Sequence, residues 1–326
     1  MEIRILRSDD VKALLTMPVC IDLMQTTMIA VSEGRARIPL RSAMAVSAGG
    51  LMGVMPGYLA EPECFGVKLL SMFPKNVAHG YSSHLGLVLL FEPEHGLPVA
   101  MLDAAEITAI RTAAVSGLAT RLLAREEAGD LAILGAGEQA RSHLEAMLAV
   151  RAIRRVRVWS RTPKSAETFA RSEGERHGIA IEPVADARAA VDGADLICTV
   201  SQAKTPILFG DWLAAGAHLN VVGACTPTAA EIDTAAVAKS RYFVDYRDST
   251  LHEAGEYLQA LKDGVITPAH ILGEIGEVAN GAQVGRQAVS DITLYRSLGI
   301  AAEDLAAAHY LLERARAQGV GQVVEF

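Results

Sequence analysis

The sequence predicts an α/β chain of two domains, a doubly wound parallel-sheet domain in the middle and an α+β domain ahead of it, and three observations carry that prediction. Residues 130–143, DLAILGAGEQARSH, read as an apolar strand, a glycine turn and the first turn of a helix. A second strand-like run at 156–159 follows at βαβ distance. Strand-like and helical segments then alternate to about residue 295, whereas the first hundred residues mix helices and turn-linked strands without alternation.

The glycine turn has a specific chemistry. Gly135 lets the chain turn tightly after the strand, Gly137 offers no Cβ to a pyrophosphate, and the small Ala140 lets the new helix lie close to the sheet. The free N–H groups of the first helical turn then face an anion. Gly135, Ala136, Gly137, Glu138 and Gln139 are therefore the first candidate cofactor residues, on a Rossmann-type NAD(P)-binding domain. At the end of the second strand an NAD site carries an acid for the ribose 2'-hydroxyl, but this chain has Ser160, Arg161, Thr162 and Lys164. A 2'-phosphate suits them: Arg161 forks onto it or lies over the adenine, and Ser160 and Thr162 donate hydrogen bonds. NADPH is the expected cofactor, with NADH possible. The competing reading of the same turn is a solvated basic loop that caps a helix starting near Pro163.

Six strands are expected in this domain, at 131–134, 156–159, 179–182, 196–200, 219–223 and 242–245. Loops at their carboxyl ends face the cofactor crevice of such a sheet, which adds Thr199, Val200, Ser201, Val222 and Gly223 to the cofactor candidates. Cys225 follows in the same loop. It orients substrate or donates a proton, or it is a small space-filler.

Ahead of this domain the pattern gives helices at 8–15 and 18–33, strands near 40–46, 51–55, 64–73, 85–91 and 98–102, and a long helix at 105–123. After it, 250–262 reads as one helix and 301–318 as an alanine-rich helix that returns to the first domain. The expected boundaries are 1–120 completed by 296–326, and 121–295.

Composition narrows the function. With 51% hydrophobic and 21% charged residues the chain is globular. A net charge of -8 and a pI near 5.6 argue against nucleic acid or anionic membrane as partner, which leaves small metabolites. The opening MEIRILRSDDVK has no signal-peptide core and no apolar run reaches 18 residues, so a cytoplasmic enzyme is expected. Cys20, Cys64, Cys198 and Cys225 show no C-x-x-C pairing and the histidines no ligand spacing, so no metal is expected.

Three cations sit in apolar or strand-like surroundings of the first domain: Arg41 in IPLRSAMAV, Lys68 in FGVKLLSMF and Arg111 in AEITAIRTAAVSG. Buried cations need partners, and one bound carboxylate would serve all three. Each alone also reads as a structural ion pair or a snorkelling side chain.

Taken with GVMPGY, VKLLSMFPKN, SSHLGLVLLFEPEHG, MLDAAEITAIRTAAVSG, ILGAGEQARSH, RVWSRT, GADLICTV, TPILFGDWLAAGAHLNVVGA and ITLYRSLGIAAED, the chain resembles the ornithine cyclodeaminase and mu-crystallin family over essentially its full length. The resemblance implies a homodimer of two-domain subunits, whose first domain binds substrate and dimerises and whose second binds NAD(H) or NADP(H). It puts Arg41, Lys68 and Arg111 on the substrate carboxylate. Cyclodeaminases of the family carry an Asp where this chain has Cys225, and mu-crystallin-type ketimine reductases a serine. WSRT likewise resembles the NADPH turn of the mu-crystallin branch.

The implied reaction is reduction of 1-pyrroline-2-carboxylate or 1-piperideine-2-carboxylate to L-proline or L-pipecolate, with Lys68 and Cys225 as the catalytic candidates. The alternatives are an amino-acid dehydrogenase or opine-type synthase acting on a linear imine, an ornithine cyclodeaminase, and a nucleotide-dependent ligand-binding protein without turnover.

Overall fold

The computed structural model describes residues 2–82 and 84–325, apart from the side chains at 48, 77 and 84. The chain divides into two compact units, one of Met1–Thr112 with Gly299–Phe326 and one of Ala113–Leu298.

The first unit begins with β1 (Glu2–Leu6), α1 (Ser8–Leu14), α2 (Met17–Ser32), β2 (Ala36–Arg37) and β3 (Ser42–Ala45). The long hairpin β4 (Leu51–Ala60) and β5 (Glu63–Met72) follows, then β6 (His84–Phe91), β7 (Pro98–Asp103) and the start of α3 (Ala104–Leu123). Its sheet runs β1-β7-β6-β5-β4-β2 with β3 also on β4, antiparallel except for the β1–β7 pair.

Gly57 and Gly66 face each other across β4 and β5. That pair forms a saddle for the helix at the C-terminal end of the chain. A Cβ on Gly57 would lie 3.0 Å from Ala301 and Leu305, and one on Gly66 would lie 2.9 Å from Leu305. Glycine here removes side-chain bulk so that an alanine-rich helix can seat close to the sheet, where dispersion contacts are densest. On the other face of the sheet Met52, Leu85 and Leu87 are each more than a third exposed. These residues line an open apolar groove with Val46, Leu69 and Phe73.

The second unit alternates as a parallel sheet requires: β8 (Asp130–Leu134), α4 (Glu138–Val150), β9 (Arg155–Trp159), α5 (Pro163–His177), β10 (Ile181–Pro183), α6 (Ala187–Val191), β11 (Leu196–Thr199), β12 (His218–Val221), α7 (Thr234–Lys239) and β13 (Arg241–Val244). It continues with α8 (Arg247–Glu253), α9 (Gly255–Lys262), β14 (Ile271–Glu274), α10 (Ile275–Ala279) and β15 (Thr293–Arg296). The chain then re-enters the first unit with α11 (Ala301–Gln318) and β16 (Gln322–Glu325), which pairs with β1.

The sheet order is β10-β9-β8-β11-β12-β15-β13-β14, parallel throughout. Strand order reverses between β8 and β11, which makes the crevice at their carboxyl ends the switch point where such sheets bind ligands.

This sheet has eight strands rather than the six expected. The two missed, ILGE and TLYR, are four residues long, the first holding a glycine and a glutamate and the second beginning with a threonine and ending in a buried arginine, so neither shows an apolar run. The expected helix over 250–262 is broken at Ala254, whose extended backbone ends α8 and caps α9. Gly255 there lies against the Ala229 carbonyl with no room for a Cβ.

Candidate active site

In the first unit the three predicted cations meet around Gly299. Arg41, just ahead of β3 and half-buried, donates from Nη2 to the Gly299 carbonyl at 3.0 Å. The Arg111 guanidinium of α3 occupies the space that a side chain at 299 would fill, since a Cβ there would stand 2.5 Å from Nη1. Gly299 also has φ +75°, a backbone that disfavours any L side chain. Lys68 of β5 joins through a shared carboxylate: Asp304 Oδ1 accepts from Lys68 Nζ at 2.9 Å and from Arg111 Nε at 3.0 Å. Arg111 Nη1 donates to Glu303.

The internal counter-charges revise the burial argument. Lys68 is 1% exposed and Arg111 4%, yet Glu303 and Asp304 are fully buried beside them and balance both charges. Two of the three cations therefore need no ligand to be buried. Nε and Nη1 of Arg111 are committed to these carboxylates, and Arg41 stands beside them as the third cation of the cluster.

Burial pushes the Lys68 ammonium down to about 8 against the pull of Asp304. Burial also works against the Arg111 charge, but Asp304 and Glu303 more than offset it and hold the proton above the usual range. Sequence reasoning missed Gly299, Glu303 and Asp304. The available signal was GIAAED, a glycine then an acidic first turn that also suits the helix N-terminus.

In the second unit the glycine turn follows β8. Gly135 N–H donates to the Trp159 carbonyl at 2.8 Å, so the turn lies beside the end of β9. Gly135 has φ +135°, and a Cβ on it would come within 2.6 Å of the Val200 carbonyl at the end of β11. Gly137 is the N-cap of α4, no side chain caps that helix, and the space a Cβ would enter is open. Ala136, Glu138 and Gln139 flank it. Uncapped N–H groups facing open space at the switch point fit a pyrophosphate.

Ser160, Arg161 and Thr162 follow β9, with Arg161 and Thr162 exposed and no carboxylate among them. Thr162 is the N-cap of α5 without a side-chain cap bond.

The loops after β11 and β12 are tied together by Glu231, which is fully buried. It accepts from Ser201 N–H and Ser201 Oγ at 2.7 Å and from Gly223 N–H at 2.6 Å. Beneath the second loop Arg296, also fully buried, donates to the carbonyls of Val221 and Ser297 at 3.0 and 2.9 Å and to that of Ala224. It pairs with Glu256 at 2.5 Å. Thr199 is buried, and Val200 and Val222 are nearly so. Cys225 is the cysteine that is not buried, its Sγ 3.3 Å from the Val222 carbonyl, whereas Cys20, Cys64 and Cys198 are core residues.

Among the described residues one group could hold a metal by proximity, Glu92, Glu94 and His95. There the Glu92 carboxylate accepts the N–H groups of Glu94, His95 and Leu97 and braces a turn. No single helix among these residues is long and apolar enough to cross a membrane.

The model of the ornithine cyclodeaminase/mu-crystallin family matches residues 1–319. The chain belongs to that family. Among its relatives, the ketimine reductase mu-crystallin of Rattus norvegicus is 38% identical over 278 residues, 85% of this chain and 84% of the relative. The solved Delta(1)-pyrroline-2-carboxylate reductase of Thermococcus litoralis, in complex with NADH and L-proline, superposes with a TM-score of 0.95 at 36% identity, covering 98% of this chain and 99% of that one. An archaeal alanine dehydrogenase dimer with bound NAD gives a TM-score of 0.93 at 29% identity over the whole of both chains. The family thus spans several imine and amine chemistries on one backbone, so the reaction has to be argued from side chains.

Proposed function

We propose that this protein is an oxidoreductase acting on a carbon–nitrogen double bond, reducing a cyclic ketimino acid to the cyclic L-amino acid with hydride from NADPH, and from NADH less well. The substrate is 1-pyrroline-2-carboxylate, 1-piperideine-2-carboxylate or both, giving L-proline or L-pipecolate. The observation that carries this reading is the near-complete likeness, in fold and at 36% identity, to a reductase solved with NADH and L-proline. Cys225 supports it, because the carboxylate that cyclodeaminases carry at that position is absent.

Bound at the glycine turn, the dinucleotide supplies a hydride from its nicotinamide ring. Everything else falls to this chain. Gly137 and the uncapped start of α4 take the pyrophosphate, with Gly135, Ala136, Glu138 and Gln139 shaping the turn. Ser160, Arg161 and Thr162 take the 2'-phosphate, which is the basis of the NADPH preference. Thr199, Val200, Ser201, Val222 and Gly223 wall the reactive end.

Arg41 and Nη2 of Arg111 grip the substrate carboxylate, and Lys68 adds positive charge, so electron density is drawn away from the carbon under attack. Lys68, its proton loosened by burial to about 8, is the acid we assign to the imine nitrogen, and a water beside the Cys225 thiol is the other source. The enzyme works in the cytoplasm as a homodimer. The open apolar groove on the first unit's sheet, lined by Leu51, Met52, Leu85 and Leu87, is the surface a second copy would cover.

The test is the initial rate of NADPH oxidation with each freshly prepared imine, beside NADH and beside an ornithine plus NAD reaction assayed for ammonia. Imine-dependent oxidation is expected. Ammonia from ornithine without imine reduction would replace this reading with cyclodeamination.

A further inference from the structure

At the carboxyl end of a parallel strand the next N–H groups lose their ladder partners, and if buried each needs another acceptor. Ser201 is in that position after β11, and Gly223, after the adjacent β12, keeps only a bond of 3.2 Å to the Thr199 carbonyl, which also accepts from Val222. One buried carboxylate serves both. Glu231 takes the Ser201 N–H and hydroxyl on Oε1 and the Gly223 N–H on Oε2, while the Ser201 hydroxyl also accepts the Ala203 N–H at 3.1 Å.

The main chain of Glu231 is anchored too, its carbonyl accepting from Ile207 and Leu208 at 2.8 and 3.1 Å. Gly223 has no room for a Cβ, which would strike the Ser201 carbonyl and stand 2.6 Å from Glu231 Oε1. Charge-assisted bonds to a carboxylate are about twice as strong as neutral ones, so the two loops are held as one frame. The same frame could have been closed with neutral groups. A buried charge is the costlier choice, since burial raises the Glu231 carboxyl above its ordinary range.

We propose that Glu231 is a positioning residue for hydride transfer: by clasping Ser201 to Gly223 it fixes the wall against which the nicotinamide ring is held, without contributing to affinity at the phosphates. This rests on the reading that the crevice binds NADPH. Glu231 makes no contact assigned to the adenosine half, which falls to the glycine turn and Arg161, so loosening the clasp should separate turnover from cofactor affinity. The geometry of a hydride donor and acceptor is demanding, and a displacement of about 1 Å can cost on the order of a hundredfold in rate.

The experiment compares wild type, Glu231→Gln and Ser201→Ala by NADPH fluorescence titration, for dissociation constant and binding stoichiometry, and by steady-state reduction of 1-pyrroline-2-carboxylate. Glu231→Gln keeps an acceptor for Ser201 but sets an amide against the Gly223 N–H. We expect kcat to fall at least about tenfold, with full NADPH stoichiometry and a dissociation constant within about threefold of wild type. Ser201→Ala removes one bond and should show the same split at about two- to fivefold, and it decides the matter if Glu231→Gln does not fold.

The proposal is overturned if kcat is unchanged, or if it falls only in proportion to lost NADPH stoichiometry, the signature of a folding defect. Failure of wild type to bind NADPH would instead overturn the reading of the crevice.

Discussion

In the Ala113–Leu298 unit the proposed cofactor site is made of backbone: a glycine turn, an uncapped helix start and two strand-end loops. In the other unit the proposed carboxylate site is made of charged side chains that already satisfy one another, Lys68 and Arg111 against Asp304 and Glu303. The first is open to an anion because nothing caps it. The second has its buried charges paired with one another, and the anion proposed for it would meet Arg41 and one nitrogen of Arg111. A backbone site tolerates most side-chain changes, whereas a balanced charge cluster tolerates few, because deleting one member strands its partners in a low dielectric.

The sharpest way to break that contrast is Arg111→Ala. Removing this cation leaves Glu303 and Asp304 buried with Lys68 alone, a loss on the order of 3–5 kcal/mol by analogy with other broken buried pairs. Imine reduction should fall by more than about a hundredfold in kcat/KM while NADPH titration stays near wild type. Unchanged kinetics would remove Arg111 from substrate binding.

Titration separates the two units next. Burial pushes His143 down to about 4 and His218 to about 3, and both lie in the second unit. Folded and unfolded chains agree above about pH 6.5, where both forms are neutral. As pH falls from there the unfolded chain takes up protons the folded one refuses, so stability drops by up to about 1.4 kcal/mol per pH unit for each histidine until the folded values are reached.

Lys68 in the first unit behaves at the other end of the scale. Its folded proton is lost near 8 and its unfolded proton near 10.5, so it leaves stability flat below pH 8 and raises it between 8 and 10.5. Trp159 and Trp212, the two tryptophans of the chain, both lie in the second unit. Urea unfolding followed by their fluorescence should weaken from pH 6.5 to 5, and a midpoint constant over that range would refute the buried neutral histidines.

A smaller effect is expected from Gly299→Ala. The new methyl meets the Arg111 guanidinium at 2.5 Å on a backbone of φ +75°, which costs roughly 1–3 kcal/mol and should raise KM for the imine more than it lowers kcat. An unaltered KM would detach Gly299 from the cluster. The smallest change belongs to the exposed Arg161. Arg161→Ala should reduce the preference for NADPH over NADH by about five- to tenfold, read as a ratio of kcat/KM values, and leave carboxylate binding alone. An unaltered ratio would move the 2'-phosphate contact elsewhere.

The same contrast explains what could be read in the sequence. Gly135, Gly137 and Ala140 stand within six positions of one another, so the strand, turn and helix start they build are visible as a local motif, and the α11 span of 301–318 followed from its alanine-rich periodicity. Arg41, Lys68 and Arg111 stood out as misplaced cations. Their partners did not, because Arg111 and Glu303 are separated by 192 positions and Arg41 and Gly299 by 258. Strands β14 and β15 escaped for a related reason: β15 is completed by β12 and β13 on its two sides, and β14 is a four-residue edge strand laid on β13, so neither needs much apolar signal of its own. Glu231 in TAAEID carries no local signal of its role, because the loops that close on it belong to Ser201, 30 positions earlier, and to Gly223.

The distance between Arg111 and its carboxylates also has a meaning in time. During synthesis at 5–20 residues per second, roughly 10–40 s pass between the emergence of Arg111 and that of Glu303. Throughout that interval the contiguous residues 113–298 can complete their own sheet, while the sheet of the first unit waits with Lys68 and Arg111 uncompensated and the saddle at Gly57 and Gly66 empty. Helix α11 is thus the one that neutralises the first domain, and a nascent chain halted before it would carry a ready-made signal for chaperones: an apolar sheet with two unmatched positive charges.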